Sequence, residues 1–158
     1  MALVDIRQGD HTSSAKVSGS PGKIVRLERT HDCKTTNVTS GDILQMIHIP
    51  AGVTILDCGI VVHRVEGGTL TVDIGPTTHS NDTAIDADGF LDGADLNSAT
   101  GYRHIVAGVL TFPYRNGSDV AMDINVLFNN TADNARFTLY ASVLDMGDSL
   151  IDGITNAG

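Results

Sequence analysis

The feature that most constrains the fold of this chain is the alternation of apolar and polar residues in the sequence VAMDINVLF. The apolar residues, which would share one face, are Val120, Met122, Ile124, Val126 and Phe128. The residues expected on the opposite face are Ala121, Asp123 and Asn125. Because successive side chains of a β-strand point to opposite faces, the pattern predicts a half-buried strand with one polar face in solvent.

Similar segments recur at short spacing along the chain. The candidate strands are residues 23–31, 42–49, 54–65, 69–74, 104–112, 119–128 and 136–145. In the last of them, the residues predicted to point inward are Phe137, Leu139, Ala141 and Val143, and those predicted to point outward are Arg136, Thr138 and Ser142. Asn116 and Gly117 can adopt the positive φ angles of a tight hairpin, so they predict a turn between the fifth and sixth candidates.

The spacing of these segments indicates the fold class. The chain has 17 Gly and no ten-residue stretch with a helical period. Seven or eight short antiparallel strands with frequent turn signals predict an all-β protein, a two-sheet antiparallel β-sandwich with the jelly roll as the leading variant. One short helical turn is expected in the sequence DGFLDGADLNSAT.

The 158 residues fit one domain with a sizeable core. Residues 1–22 are rich in Ser and Gly and show no sustained period, so they are predicted to form a flexible N-terminal arm. The β-sandwich domain is predicted to cover residues 23–145. Residues 146–158 would form a C-terminal arm that lies on a neighbouring molecule or frays.

Charge and hydropathy exclude two classes of partner. Ten Lys and Arg stand against 19 Asp and Glu, a formal net charge of −9, and no basic run could neutralise phosphates, which argues against nucleic-acid binding. No apolar segment of 18 residues is present, and MALVDIRQGD lacks the basic start and apolar stretch of a signal peptide. The protein is expected to have no membrane partner and to be made in a cytosol.

The histidines raise the possibility of a metal-binding cupin, because GDILQMIHIPAGV is how a strand of that small β-barrel enzyme fold often ends. A cupin needs two His one residue apart and further ligands that converge on one ion, whereas the six His of this chain are scattered. His48 and His63 are candidate ligands, and polar residues on the outer face of a strand are the favoured interpretation.

The two cysteines, Cys33 and Cys58, are expected to be reduced. Together with His31 and His63 they contain the atoms of a zinc site. Residues 58 and 63 are five positions apart, however, and would point to opposite faces of a strand. Cys58 is instead predicted to pack in the core, in a group that also contains Leu56, Ile60 and Val62.

The densest polar cluster lies between residues 82 and 95. Laid on the calcium loop of an EF-hand, it places Ala84 at the first ligand position and Gly89 at the turn glycine. The aspartates at the remaining ligand positions are Asp86, Asp88, Asp92 and Asp95. An irregular Ca²⁺ site in a calcium-dependent binding module and a solvated loop with Asp caps are both open, and the solvated loop is favoured.

No nucleophile elbow, reactive-cysteine context or phosphate-binding glycine loop is present in the sequence. The protein is therefore expected not to be an enzyme and not to use a cofactor.

The interval from SGDILQMIHIPAGVTILDCGIVVHRVEGGTLTVDIG to DADGFLDGADLN, with the strands that follow, resembles structural proteins of tailed bacteriophages, particularly marine and cyanobacterial phages. The resemblance covers residues 41 to about 145, roughly two thirds of the chain.

The resemblance implies a virion protein on the phage head surface, a decoration or cement protein assembled in the host bacterial cytoplasm. The implied partners are the major capsid protein and further copies of the chain itself, as a trimer. Ile6, Arg7 and Lys16 in the N-terminal arm are the candidate capsid contacts. A phage tail, fibre or head-fibre base protein is the alternative within the virion, and a cupin-like metal-binding protein is the alternative outside it.

Overall fold

The computed structural model of the chain describes residues 3–5, 23–78, 86–104, 113–115 and 121–145. The strands among these residues are β1 (Leu3–Asp5), β2 (Lys23–Asp32), β3 (Ile43–Ile49), β4 (Thr54–Arg64), β5 (Thr71–Thr78), β6 (Leu91–Asp95), β7 (Gly101–His104), β8 (Tyr114–Arg115), β9 (Met122–Phe128) and β10 (Arg136–Asp145). No helix occurs in the described part of the chain, so none there could cross a membrane.

The strands form two sheets. Sheet A has the order β1-β3-β9-β5-β6, and sheet B has the order β2-β10-β4-β7, with β8 paired to the start of β4. All pairs are antiparallel except β1 with β3. With β1 and β8 set aside, the first strand pairs with the last, the second with the seventh, the third with the sixth and the fourth with the fifth. This nested pairing is the jelly roll, and the predicted fold class is confirmed.

The core lies between the inner faces of the two sheets. The inward residues predicted for β10, from Phe137 to Val143, are all buried, as are the four apolar residues of β9 from Met122 to Phe128. The rings of Phe128 and Phe137, one from each sheet, lie 6.0 Å apart between centroids. Each fully buried side chain of this size contributes about 1.5–3 kcal/mol, so this apolar layer is what holds the sheets together.

The prediction that the polar face of β9 meets solvent is wrong. Asp123 is completely buried and Asn125 is 4% exposed. Another segment of the same chain explains this burial. Gly75 of β5 lies opposite Asn125, and a Cβ added to Gly75 would lie 1.8 Å from the carbonyl oxygen of Asp86. The backbone at Asp86 and Ala87 therefore crosses the outer face of sheet A beside Asn125.

The predicted grouping of Leu56 with Cys58 is also wrong. Asp57 pairs with Ser142 and Ile55 pairs with Val143, so Leu56 is an extra residue in β4, a β-bulge. A bulge reverses the alternation on one side of itself. Ile55 and Cys58 are consequently both fully buried, while Leu56 is partly exposed.

The short helical turn expected in residues 88–100 is absent, because the segment contains β6. This strand pairs with β5, and the register shifts between Val72 and Ile74. Gly93 has a φ of +63° and donates its N–H to Asp73 Oδ1 at 2.7 Å. Glycine at a positive φ in a bulge explains why this Gly- and Asp-rich sequence fits a strand.

Several predictions concern residues outside the described ranges. Gly101–His104 forms a strand, whereas residues 105–112 and the Asn116-Gly117 turn lie outside those ranges. Within the predicted N-terminal arm, Leu3–Asp5 pairs in parallel with Ile43–Gln45, and residues 6–22 are not described. The boundaries of the two arms stay predictions.

Candidate interaction surface

The outer face of sheet B carries a row of hydrogen-bonded polar side chains that crosses three strands. Thr138 on β10 pairs with Thr30 on β2, and His63 lies next to Thr138 at a register shift of β4. The hydroxyl of Thr138 lies 2.7 Å from His63 Nε2 and 2.6 Å from the hydroxyl of Thr30. Thr138 is buried beneath its exposed neighbours, which is why its predicted outward position does not make it solvent-exposed.

An aromatic ring occupies the next part of the same face. Tyr140 on β10 is only 2% exposed and lies over Gly59 of β4. The guanidinium carbon of Arg26 lies 4.3 Å from the centroid of the Tyr140 ring. A cation stacked on a ring in this way contributes about 0.5–1 kcal/mol at an exposed site and fixes the position of the guanidinium.

Changing Gly59 to alanine is expected to displace Tyr140. The added Cβ would lie 2.6 Å from the Tyr140 hydroxyl oxygen, and the ring, as the end of a side chain, can move away. Loss of the ring's packing and of the Arg26 stack should lower the free energy of unfolding by about 1–2 kcal/mol. Chemical denaturation would measure this, with Gly68→Ala as the control, since nothing lies within 4 Å of a Cβ there.

Strand β2 forms one edge of sheet B. Its outward side chains, all exposed, are Ile24, Arg26, Glu28 and Thr30. Ile24 is 68% exposed and is the exposed large hydrophobic residue of the described part of the chain. Arg26 Nε and Glu28 Oε2 are 3.3 Å apart. The edge thus presents one apolar residue and a pair of opposite charges in a fixed order.

One end of the sandwich is held by a polar cluster, the Glu66 clasp, made of Asp32, Arg64, Glu66 and Asn134. The Glu66 carboxylate accepts backbone N–H groups of Asp133 at 3.0 Å, Asn134 at 3.0 Å and Ala135 at 2.6 Å. Arg64 donates to the Asn134 carbonyl at 2.6 Å and pairs with Asp32. The clasp joins the ends of β2 and β4 to the connection between β9 and β10.

Electrostatics in the clasp follow from these bonds. Partial burial raises the pKa of Glu66, but the three backbone donors outweigh burial and hold its pKa below the ordinary value. The pKa of Asp32 is also lowered; desolvation opposes the shift, and hydrogen bonds from the Lys34 N–H and from Arg64 produce it. Both carboxylates are therefore stabilised in their charged forms.

A second polar group lies on the outer face of sheet A, where the sequence predicted solvent. Asp123 Oδ1 lies 3.0 Å from His48 Nδ1, and Asn125 donates to the Thr77 hydroxyl at 2.7 Å. His48 retains a quarter of its side-chain exposure. These contacts satisfy much of the buried polar face of β9, which would otherwise cost several kcal/mol.

The structure does not bring the candidate metal ligands together. His48 pairs with Asp123 on the outer face of sheet A, and His63 bonds Thr138 on the outer face of sheet B, so the two histidines lie on opposite outer faces of the sandwich. Within the described ranges, no group of three His, Cys, Asp or Glu is placed to hold a metal ion. The cupin geometry is accordingly not formed by His48 and His63.

The environments of the candidate zinc ligands also argue against a zinc site. Burial raises the pKa of the Cys33 thiol to about 12 and raises that of Cys58 further, which disfavours the thiolates that bind metals or attack substrates. Cys58 is in the core while His63 is exposed, as predicted. His31 is buried against Phe137 and bonds the Thr36 carbonyl, and burial lowers its pKa.

The acidic segment is divided among different structural roles. Asp95 accepts the Asn97 N–H and the Ser98 hydroxyl, and thus caps a turn. Asp92 is an exposed residue of β6. Asp86 and Asp88 share a hydrogen bond that raises the pKa of Asp86. Ala84, the first position of the EF-hand alignment, lies outside the described residues.

Ile6, Arg7 and Lys16, the candidate capsid contacts, also lie outside the described residues. Sequence reasoning did not single out the outward residues of β2 or Tyr140. The signal for β2 was present in KIVRLERTH, where Ile24, Arg26 and Glu28 alternate with apolar Val25 and Leu27. The position of Tyr140 depends on a glycine of another strand and had no local signal.

No protein-family model matches the sequence, and no curated protein matches it. The structure is similar to a chain from the capsid of Ralstonia phage GP4, with a TM-score of 0.69, 15% identity, and coverage of 91% of this chain and 98% of that chain. It is also similar to chains from the acidic stable capsid of Helicobacter pylori bacteriophage KHP30 (TM-score 0.54, 12% identity, coverage 79% and 90%) and the capsid of cyanophage Pam1 (TM-score 0.54, 14% identity, coverage 80% and 87%). At these identities the likeness shows a shared fold.

Proposed function

We propose that this protein is a non-enzymatic component of a bacteriophage virion that binds the outer surface of the capsid and stabilises the head. The observation that carries the proposal is the likeness to a chain of the Ralstonia phage GP4 capsid over nearly the whole of both chains. The matched chains from the other two phage capsids are also covered almost completely. The likeness is therefore to whole small capsid components, and it agrees with the pattern in the sequence.

The chemistry of the described residues supports a binding role. Both thiols are buried and held protonated, and the histidines on the two outer faces bond to protein side chains. The part of the sandwich available for contact with another protein is chiefly the outer face of sheet B with its edge strand β2. A rigid sandwich of this kind suits contact with another protein surface.

The proposed partner is the major capsid protein, with three copies of this chain forming a trimer on the shell after synthesis in the host bacterial cytoplasm. Ile6, Arg7 and Lys16 would contact the capsid. Repetition of one modest contact over a symmetric shell produces strong total binding by avidity. A protein that binds the assembled shell, and not its separated subunits, stabilises the shell by mass action.

The proposal predicts that purified protein binds phage heads that lack it and raises the temperature at which they release DNA. Binding is measured by co-sedimentation and DNA release by a fluorescent dye during heating. Cryo-microscopy of the decorated particles then gives the position and the number of copies. Protein that leaves the heads undecorated and attaches to tails instead would contradict the proposal.

The arm contacts have their own test. Arg7→Ala combined with Lys16→Ala should weaken binding to heads roughly tenfold, if each charge contributes somewhat less than 1 kcal/mol at the interface. Lys34→Ala combined with Arg115→Ala is the matched control, because both side chains are exposed and this pair of substitutions also removes two positive charges. Equal binding by both variants would remove Arg7 and Lys16 from the contact.

A further inference from the structure

We infer that the edge strand β2 pairs with β2 of a second copy of this chain, antiparallel and about a two-fold axis, to join the two B sheets into one. The inference concerns contact between copies and does not depend on capsid binding. Its basis is the geometry of the edge and the order of charges along it.

The edge is long and regular. β2 has ten residues, and all ten pair with β10 without a register shift. Among the described residues its partner strand is β10 alone, so its other side carries backbone groups directed away from the sheet. Edge strands are usually protected from such pairing by prolines, bulges or charged side chains, and charges oppose pairing when like faces like. β2 contains neither a proline nor a bulge, and its outward charges are of both signs.

The charges select one register. If Arg26 faces Glu28 of the second copy, the two-fold axis makes Glu28 face Arg26 of that copy as well. Leu27 then faces its own equivalent, Ile24 faces Thr30, and nearly the whole of the strand is paired. A shift in one direction would place Arg26 against Arg26, and a shift in the other would place Glu28 against Glu28. Opposite charges stabilise facing positions and like charges destabilise them.

The backbone is compatible with this register. Alternate residues of an antiparallel strand direct their N–H and C=O groups to opposite sides. Arg26 and Glu28 are two positions apart, so their backbone groups point to the same side of β2. The register therefore brings together residues whose hydrogen-bonding groups both point outward or both point inward, as an antiparallel ladder requires.

Exposure at the edge leaves room for the second strand. The side chains of Arg26 and Glu28 are 47% and 59% exposed, and the 68% exposed Ile24 would gain cover from Thr30 of the second copy. The contact is isologous and closes after two copies. The paired area is small, so the dimer should be populated in solution at high protein concentration.

Register-specific disulfides test the inference directly. Ile24→Cys and Thr30→Cys are exposed positions on the same face, and in the proposed register each faces the other across the interface. Under mild oxidation, an equal mixture of the two variants should give a disulfide-linked dimer on a non-reducing gel. Either variant alone should give none, and wild type is a further control because Cys33 and Cys58 are buried.

Charge exchange is the second arm of the experiment. Arg26→Glu and Glu28→Arg should each weaken self-association roughly tenfold, because two attractive pairs become repulsive. Mixing the two variants should restore it, since each then faces an opposite charge, and the mixture should sediment faster than either variant alone. No dimer in the mixed cysteine sample, or no gain on mixing the charge variants, would overturn the inference.

Discussion

Replacement of Gly75 by alanine is expected to destabilise the protein by about 3 kcal/mol or more, lowering its melting temperature by about 10 °C. The added Cβ would overlap the carbonyl oxygen of Asp86 at 1.8 Å and approach the Ala87 backbone at 2.7 Å. Backbone atoms cannot rotate aside as a side chain can. The whole crossing segment would have to lift from the outer face of sheet A.

Lifting this segment would expose groups that are now satisfied. The Asp86 N–H bonds the Pro76 carbonyl, and the Phe90 N–H bonds the Ile74 carbonyl at 2.9 Å. Phe90 is fully buried and packs edge-to-face on Tyr114 at 5.4 Å between centroids. Calorimetry measures the loss against Gly68→Ala, which should be nearly neutral. A Gly75→Ala protein as stable as that control would show that the segment does not cross there.

Glu66→Gln is expected to cost about 2–3 kcal/mol at pH 7, since three charge-assisted hydrogen bonds converge on one carboxylate. A glutamine side chain has one acceptor oxygen, and its NH₂ group would face a backbone N–H donor. The connection between β9 and β10 would lose its link to the end of β4. Urea denaturation of both proteins measures the difference.

The cost of Glu66→Gln should depend on pH with a definite sign. The folded pKa of Glu66 is below its ordinary 4.5, so its stabilising contribution is complete above that value and is lost as pH falls through the folded pKa. The gap between wild type and variant should therefore narrow below about pH 4.5. Asp32 and His31 titrate in both proteins, so their effects largely cancel in the difference.

Glu28→Gln is the matched control for this experiment. Glu28 is an exposed glutamate whose contact is the surface pair with Arg26, worth at most about 1 kcal/mol. At pH 7 it should differ from wild type by at most about 1 kcal/mol. A Glu66→Gln gap that stays constant from pH 7 to pH 3 would contradict the assigned role of the carboxylate.

The proposed capsid contact and the proposed β2 contact use different residues. Capsid binding is assigned to the arm residues Ile6, Arg7 and Lys16, whereas contact between copies is assigned to Arg26 and Glu28 on the edge of sheet B. Variants at one site should leave the other function intact. Binding to heads and cross-linking between copies can therefore succeed or fail independently.

Much of the fold could be predicted from local pattern. Alternation correctly gave the inner faces of β9 and β10, from Met122 to Phe128 and from Phe137 to Val143, because a period of two is a property of each strand alone. It also gave Cys58 in the core and His63 outside. Less of the candidate site could be predicted from the sequence, because the arm residues lie outside the described ranges and Tyr140 was not identified.

By itself, the sequence determined the all-β class, the approximate positions of most described strands and the side of each strand that is apolar. Only the tertiary structure decided what lies over the other side. Asp123 and Asn125 have the local signature of solvent-facing residues, yet both are buried, Asn125 beside the backbone segment that crosses at Gly75 and Asp123 against His48. The bulges at Leu56 and Gly93 likewise arise from pairing between strands. Alternation records which residues avoid water, whereas coverage and register depend on contacts between residues far apart in the chain.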